Sequence, residues 1–212
     1  MNLGSIVIVL IIVVGSVILH ELAHGLVAYW LGDNTAKEAG RLTLNPIKHI
    51  DPIMSILVPV MLYIIGTPVF GGAKPVPIDS RNLKWREWGM ALVALAGPLM
   101  NFLIAFIFFL IGHFSGLAYG FGGELPALIF SEIVYVNLGF MIFNLIPIPP
   151  LDGSRLLYAI APDSVRFFML GMERYGIIII YALILLFGQV FSNLMAGGIN
   201  GVLSLFYFIV GG

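Results

Sequence analysis

Long apolar runs constrain the fold of this chain more than any other feature of its sequence. Residues 3–31, 88–112 and 125–147 are each long enough to cross a lipid bilayer, which takes about 20 mostly apolar residues. Residues 175–191 form a shorter run and residues 201–210 a marginal one. Only 10% of the 212 residues are charged, against about a quarter in soluble domains. The sequence therefore predicts an all-α polytopic membrane protein with about five to six transmembrane helices.

The basic residues indicate how these helices are oriented. Lysines and arginines follow the first run, the short run at 53–66 and the run that ends near residue 147, whereas the loop at 113–124 has none. Because cytoplasmic loops are the ones enriched in Lys and Arg, the N-terminus is predicted to lie outside. Residues 53–66 are too short to span and contain a proline, so they are predicted to dip into the membrane and return. The proline-rich return at 67–79 is predicted to be extended.

Three ionisable side chains lie close together within the first apolar run. Residues 20–24 read His-Glu-Leu-Ala-His, and residues four apart share one face of a helix. His20 and His24 can bind one metal ion while Glu21 reaches a water molecule beside it, which is the H-E-x-x-H pattern of zinc metalloproteases. Each such side chain costs about 2.5–3.5 kcal/mol inside a membrane, which favours a functional role. The alternative is a polar seam that bonds to neighbouring helices.

Asp152 is the best candidate for a third metal ligand. A catalytic zinc site has three protein ligands and an open position, and the chain contains no cysteine. Prolines between 147 and 150 end the preceding helix on the side where the first helix also ends, and Asp152 follows two residues after the last of them. The extended segment that they enforce can carry its carboxylate to the depth of His20. The alternative is that Asp152 caps a helix that begins at Ser154.

The chain resembles the site-2 protease family of intramembrane zinc metalloproteases, peptidase family M50. The likeness runs from about residue 15 to residue 175. It is carried by His-Glu-Leu-Ala-His-Gly at 20–25, Gly-Arg-Leu-Thr-Leu-Asn-Pro at 40–46 with His-Ile-Asp-Pro at 49–52, Ala-Lys-Pro-Val-Pro at 73–77, Ala-Gly-Pro-Leu-Met-Asn at 96–101 and Leu-Asp-Gly at 151–153. No segment is long enough for the PDZ or CBS domain of some relatives. We therefore expect one membrane-embedded domain at 1–212, with a minimal catalytic core at about 3–160 and C-terminal helices at about 163–210.

This resemblance implies one zinc ion per chain, bound by His20, His24 and Asp152, with Glu21 as the catalytic acid and base. It implies a metalloendopeptidase that cleaves within or near a transmembrane segment of another membrane protein, in the manner of regulated intramembrane proteolysis. With the basic loops, it implies a multi-pass protein of the cell membrane whose active site faces the cytoplasm. The net charge of −1 gives no sign of a nucleic-acid partner, and the sequence indicates no oligomeric state.

Two asparagines lie near the same depth as these residues. Asn101 lies four residues after Gly97, on the same helix face, and Asn144 lies near the end of the run at 125–147. In the family, asparagines like these lie near the active site. Asn101 is therefore expected either to bond to a neighbouring helix or to position substrate. Asn144 is expected to stabilise the oxyanion or to orient a zinc ligand.

Two proline- and glycine-containing stretches, 39–46 and 70–78, are predicted to be extended. They either pair with an unwound substrate strand or form a hairpin that closes the cytoplasmic mouth of the site. Residues 162–174 are predicted to form an amphipathic helix at the membrane surface, leading into the fifth span.

A metal-binding membrane protein without hydrolytic activity, such as a zinc transporter or an inactive relative, is the competing hypothesis. A transporter is expected to carry several ionisable groups along a path, whereas the predicted spans here hold one cluster and the separate Glu132. An inactive relative would usually have lost the glutamate at position 21. The variant Glu21→Gln discriminates between the hypotheses, because a protease variant keeps its zinc and loses peptide cleavage.

Overall fold

The computed structural model describes residues 3–50, 74–120 and 122–211. These residues form helices and no β-strand, so the all-helical prediction is confirmed for them. The extended or β segments predicted near the site are not confirmed. The connections contain short 3-10 turns at Pro46–Lys48, Ser80–Asn82 and Leu117–Tyr119. The α-helices are α1 (Leu3–Trp30), α2 (Thr35–Glu38), α3 (Glu87–Ser115), α4 (Glu124–Asn144), α5 (Asp152–Ile160), α6 (Asp163–Glu173), α7 (Gly176–Leu186) and α8 (Gly188–Ile209).

Four of these helices, α1, α3, α4 and α8, are long and apolar enough to cross a membrane. A fifth crossing would require α6 and α7 to act as one broken span, since they bend by 87° at their junction. The described residues therefore hold four to five candidate spans, fewer than the upper end of the predicted range. Helix α6 lies where the sequence predicts an amphipathic helix at 162–174. Its position at the membrane surface stays a prediction.

The bounds predicted for the two C-terminal spans, 175–191 and 201–210, differ from those of the helices in the structure. The first corresponds to α7, which has only 11 residues, and the second is merely the last part of the 22-residue α8. The predicted span at 201–210 begins after the paired glycines at 197 and 198, whereas α8 continues through them. In the structure, Gly198 packs against Ile142 of α4, where an added Cβ would lie 2.9 Å from Cγ2. Glycine within an apolar helix here permits close helix packing rather than ending the helix.

Helix α3 lies between the other elements that carry the site, and it contacts α1, α4 and α5. Helices α3, α4 and α8 share a buried apolar cluster, formed by Ala105, Phe109, Val134, Leu138 and Phe206. A second cluster joins the end of α1 to the beginning of α3 and consists of Ala28, Leu83 and Val93. Because both clusters are closely packed, α1, α3 and α4 are held in a fixed arrangement.

The end of α1 and the beginning of α3 lie at the same face of the molecule. Lys84 N donates to Leu31 O at 2.8 Å, and Lys74 N donates to His49 O at 2.8 Å. The residues flanking the undescribed stretch 51–73 therefore lie together, as the predicted orientation of the basic loops requires.

Several predictions concern residues around this stretch. The predicted dipping helix at 53–66 lies outside the described residues, and so does most of the predicted return at 67–79. Residues 74–79 form neither helix nor strand. The predicted extended stretch at 39–46 contains turns and bends and no strand.

Candidate metal centre

His20, His24 and Asp152 bring one ligand atom each to a common point. His20 Nε2 and His24 Nε2 lie 3.0 Å apart, and Asp152 Oδ2 lies 3.2 Å from the former and 3.3 Å from the latter. Both imidazoles are buried on α1, and the Asp152 side chain at the start of α5 is 20% exposed. Ligands about 2.0–2.1 Å from a tetrahedral zinc ion lie about 3.3 Å apart, so this triangle has the right size. Among the described residues, these three are the group that can hold a metal ion.

The donor chemistry of this group also fits a divalent cation. Asp152 Oδ2 is buried and has no hydrogen-bond partner within the part of the chain that the structure describes. The Nδ1 atoms of His20 and His24 both have other partners, as described below, so their Nε2 atoms face the carboxylate oxygen. Three electron-rich atoms in contact repel one another unless a positive charge lies between them. A zinc ion would supply that charge and complete the coordination of all three side chains.

A chain of hydrogen bonds fixes the tautomer of His20. The chain runs through Asn101 on α3 and Asn137 on α4, both fully buried. Asn137 Nδ2 donates to the carbonyl oxygen of Ile133 at 2.8 Å and to Ser16 Oγ at 2.9 Å. Since a carbonyl oxygen only accepts, the Asn137 amide has one orientation, and its Oδ1 accepts from Asn101 Nδ2 at 2.8 Å. Asn101 Oδ1 then faces His20 Nδ1 at 2.6 Å, so Nδ1 carries the proton and Nε2 is free for a metal.

The backbone of α3 fixes the second imidazole in the same way. His24 Nδ1 donates to the carbonyl oxygen of Val93 at 2.7 Å, which leaves His24 Nε2 unprotonated. Gly97, one turn further along α3, faces both rings. A Cβ at this position would lie 2.6 Å from His20 Nε2 and even closer to His24 Nε2. Only glycine therefore allows α3 to approach the two imidazoles this closely.

The start of α5 holds Asp152 in place. The helix begins at Asp152 itself and Leu151 is its N-cap residue, so the alternative that Asp152 caps a helix beginning at Ser154 is wrong. The next residue, Gly153, packs against the end of α4, where an added Cβ would lie 2.8 Å from Ile146 O. This close packing turns the chain so that the carboxylate faces α1.

Glu21 lies beside the ligand group and contacts a different segment. Its Oε2 accepts a hydrogen bond from Val76 N at 2.8 Å. Val76 belongs to residues 74–79, which we call the strap. The buried Arg41 also holds the strap, because its Nη2 donates to the carbonyls of Lys74 and Pro75 at 2.5 and 3.3 Å. The strap is therefore fixed against the half-buried carboxylate of Glu21.

Asp33 fastens the other end of the strap. Its carboxylate is fully buried and accepts hydrogen bonds from Asp79 N at 2.8 Å, Asn82 Nδ2 at 3.2 Å and Thr35 Oγ1 at 2.5 Å. Burial alone opposes the ionisation of Asp33, but these hydrogen bonds outweigh it and lower its pKa below the ordinary value. Asp33 therefore links the loop after α1 to the segment that leads into α3.

The remaining predicted residue, Asn144, is not joined to this group by any described hydrogen bond. Its Nδ2 donates to Phe140 O at 3.0 Å, one turn back on its own helix. Asn137, in contrast, belongs to the site network, although it is not among the predicted site residues. Ser16 also joins the network without having been singled out. Polar residues within apolar runs are the signal that identifies both.

Comparison with known proteins connects this geometry to zinc metalloproteases. The chain is 40% identical over 198 residues to YwhC of Bacillus subtilis, a match that covers 89% of the chain and 85% of that protein. It is 30% identical over 175 residues to Rip2 of Mycolicibacterium smegmatis, covering 80% of the chain and 63% of that protein. MJ0611 of Methanocaldococcus jannaschii is 43% identical over 68 residues, or 31% of each chain. All three are named as zinc metalloproteases. Neither a family model nor a solved structure matches the chain.

Proposed function

Because the chain belongs to the site-2 protease family of zinc metalloproteases, we propose that it hydrolyses a peptide bond within or near a transmembrane segment of another membrane protein. The observation that carries this proposal is the convergence of three ligand atoms among membrane-spanning helices. His20 and His24 lie on the candidate span α1, and Gly97 of α3 packs closely against both imidazole rings. Such a costly group of ionisable side chains is retained in a membrane when it performs chemistry.

In this proposal, one zinc ion per chain is held by His20 Nε2, His24 Nε2 and Asp152 Oδ2. When bound, the ion would act as a Lewis acid that polarises the scissile carbonyl, and it would lower the pKa of a bound water molecule to about 7. The groups around it hold both imidazoles in position with each Nε2 turned toward the ligand point. Asn101 Oδ1 accepts a hydrogen bond from His20 Nδ1, and the carbonyl oxygen of Val93 accepts one from His24 Nδ1.

Glu21 acts as the proton carrier of the reaction. Its carboxylate removes a proton from the attacking water, whose oxygen forms a bond to the scissile carbonyl carbon. It then delivers the proton to the leaving amide nitrogen as the carbon–nitrogen bond breaks. The hydrogen bond from Val76 N to Oε2 stabilises the ionised carboxylate and limits the positions that it can adopt.

The strap supports a substrate that must unwind. The peptide groups of a transmembrane helix are bonded to one another, so cleavage requires an extended stretch in the site. Residues 74–79 are non-helical and lie next to Glu21, and we assign them as the place where such a stretch pairs. In this proposal the protein lies in the cell membrane with its basic loops on the inside, so the site faces the cytoplasm.

The first test compares Glu21→Gln with the matched variant Glu132→Gln, which alters another intramembrane glutamate outside the ligand group. Each purified protein is assayed in lipid with a fluorogenic peptide that contains one transmembrane segment, and its zinc content is measured. We expect Glu21→Gln to retain zinc and lose at least about 100-fold of the cleavage rate, the size of a general-base contribution. Cleavage at the wild-type rate by Glu21→Gln would overturn the assignment. Bound zinc without cleavage in the wild type would favour the transporter or inactive-relative hypothesis.

The second test examines the third ligand. Asp152→Asn removes the charge of the carboxylate, whereas Asp163→Asn makes the same change at a fully exposed side chain. We expect zinc content to fall in Asp152→Asn and to stay at one ion per chain in Asp163→Asn. Full zinc content in Asp152→Asn would show that another group supplies the third ligand.

A further inference from the structure

A second site lies at the face where α1 ends and α3 begins. There a cavity of about 540 Å³ opens between the segment before α3, the first turn of α3 and the helices α5 and α6. Its volume falls in the range of about 300–1,000 Å³ typical of pockets that bind small ligands. None of the metal-centre residues lines it. Its lining includes three arginines, Arg81, Arg86 and Arg155, and one acidic residue, Glu87.

The arginines retain hydrogen-bond donors that point to an anionic ligand. Arg81 pairs with Asp79, and Arg155 pairs with Glu173, but a guanidinium group has five N–H donors and each pair uses only some of them. Arg86 forms no ion pair with any residue that the structure describes. A planar guanidinium is the side chain best suited to bind a phosphate group.

The backbone at Arg86 is strained, which supports a functional reason for this side chain. Arg86 has φ 45° and ψ −106°, and the preceding Trp85 has φ 64°. Such conformations cost about 1–3 kcal/mol for a residue with a side chain, and glycine adopts them freely. An arginine therefore occupies a position that glycine would fill at lower free energy.

Aromatic and apolar side chains around the cavity indicate a lipid rather than a peptide. All three tryptophans of the chain, Trp30, Trp85 and Trp88, are exposed at this face, and indole rings concentrate at membrane interfaces. Leu170 of α6 lines the cavity with half of its surface exposed, and Phe168, two residues earlier on this helix, is also exposed. A phospholipid would match both features, because its phosphate group would bind the arginines and its acyl chain would cover the exposed apolar side chains of α6.

We propose that this cavity binds the phosphate headgroup of an anionic phospholipid. The purified full-length protein, reconstituted in phosphatidylcholine nanodiscs with about one fifth phosphatidylglycerol, is examined by native mass spectrometry for the lipids that it retains. We expect preferential retention of phosphatidylglycerol in the wild type, and about fivefold less in Arg86→Gly. Glycine adopts the backbone conformation of Arg86 without strain, so we expect Arg86→Gly to fold. A loss of phosphatidylglycerol retention in this variant would then reflect the missing guanidinium group. Unchanged zinc content checks this point.

The matched control is Arg174→Gln, which removes an arginine that does not line the cavity and lies over the ring of Tyr175. We expect its phosphatidylglycerol retention to equal that of the wild type. Equal retention in wild type and Arg86→Gly would overturn the proposal. Displacement of the lipid by millimolar inorganic phosphate would assign the cavity to a soluble anion. Binding of a soluble polyglutamate peptide that depends on Arg86, with no preference among lipids, would assign the cavity to a protein partner. Either result would also overturn the proposal.

Discussion

The tautomer of His20 depends on the carbonyl oxygen of Ile133, which His20 does not contact. The carbonyl oxygen of Ile133 orients the amide of Asn137, and that amide orients the amide of Asn101. Asn101 Oδ1 then accepts a hydrogen bond from His20 Nδ1. Each step follows from the fact that an amide has a donor end and an acceptor end. The availability of His20 Nε2 for a metal is therefore built into the contact between α3 and α4.

Asn101→Leu tests this chain of hydrogen bonds. Without the acceptor, His20 can carry its proton on Nε2 and turn away from the metal, so we expect zinc affinity to fall about 10- to 100-fold. Competition with a chelator of known affinity measures the change. Asn137→Leu should produce a smaller loss, because it leaves Asn101 in place but free to turn over.

Asn144→Leu is the informative comparison, because its amide bonds only to its own helix among the described contacts. We expect unchanged zinc affinity in this variant. A loss equal to that of Asn101→Leu would instead support the role at a zinc ligand that the sequence predicts for Asn144. Wild-type affinity in Asn101→Leu would contradict the tautomer argument.

Residue spacing was sufficient to predict part of this site. His20, Glu21 and His24 follow from a helical interval within an apolar run, and Asp152 from the prolines before it. The carbonyls of Val93 and Ile133 and the amide of Val76 had no such signal, since every residue has these groups. Their roles depend on which helices become neighbours, and periodicity within one helix carries no information about that.

At the level of elements, the strap shows how a non-helical segment can fix the side chain of Glu21, the proposed proton carrier. It is fixed at one end by Arg41 and at the other by Asp33, with Glu21 bonded between them. The prolines on both sides of Val76 favour an extended backbone, which leaves the Val76 N–H directed outward rather than into a helix. The sequence predicts this segment to be extended, but the anchoring contacts come from distant residues.

Val76→Pro removes the N–H that Glu21 accepts and keeps a backbone conformation that suits its neighbours. A hydrogen bond to a charged group contributes about 1.5–3 kcal/mol, so we expect the cleavage rate to fall about tenfold or more while zinc content stays unchanged. Val76→Ala is the matched control, since it shortens the side chain and keeps the N–H. Equal rates in the two variants would show that the side chain, and not the hydrogen bond, matters.

The pH dependence of stability tests the anchor at Asp33. Its pKa is lowered in the folded chain, so its contribution is present above the unfolded pKa and is lost as the pH falls through the folded pKa. We expect Asp33→Asn to lower the free energy of unfolding by about 2 kcal/mol at neutral pH, with a difference that narrows under acidic conditions. Thermal unfolding in detergent measures this, with the exposed Asp163→Asn as control. A difference that is independent of pH would contradict the role of the ionised carboxylate.

Helix positions were predicted well where one apolar run corresponds to one helix. The runs at 3–31 and 88–112 agree with α1 and α3 within three residues at each end. The bounds of the C-terminal helices were predicted less well, because a glycine pair can either end a helix or lie in a contact between helices, and the sequence looks the same in both cases. The contact with Ile142 decides between them, and it exists only in the folded molecule.

For the whole molecule, the arrangement of the basic loops predicts which ends of the candidate spans face the cytoplasm. The bond between Lys74 N and His49 O brings together the residues on either side of 51–73, and that between Lys84 N and Leu31 O joins them to the end of α1. Ser115, in contrast, ends α3 at the opposite end of a candidate span. If the positive-inside rule holds, the first group is cytoplasmic and Ser115 is external.

The absence of cysteine makes this claim directly testable, because a single introduced cysteine is the only thiol. The variants Lys48→Cys, Lys84→Cys and Ser115→Cys are each treated in intact cells with a maleimide that does not cross membranes. We expect labelling of Ser115→Cys in intact cells, and of the two others only after the membrane is opened, because cysteine reacts only where the reagent reaches its thiolate. Labelling of Lys48→Cys and Lys84→Cys from opposite sides would mean that the chain crosses the membrane once between them. That result would separate Glu21 from the strap and remove the structural basis of the proposed site.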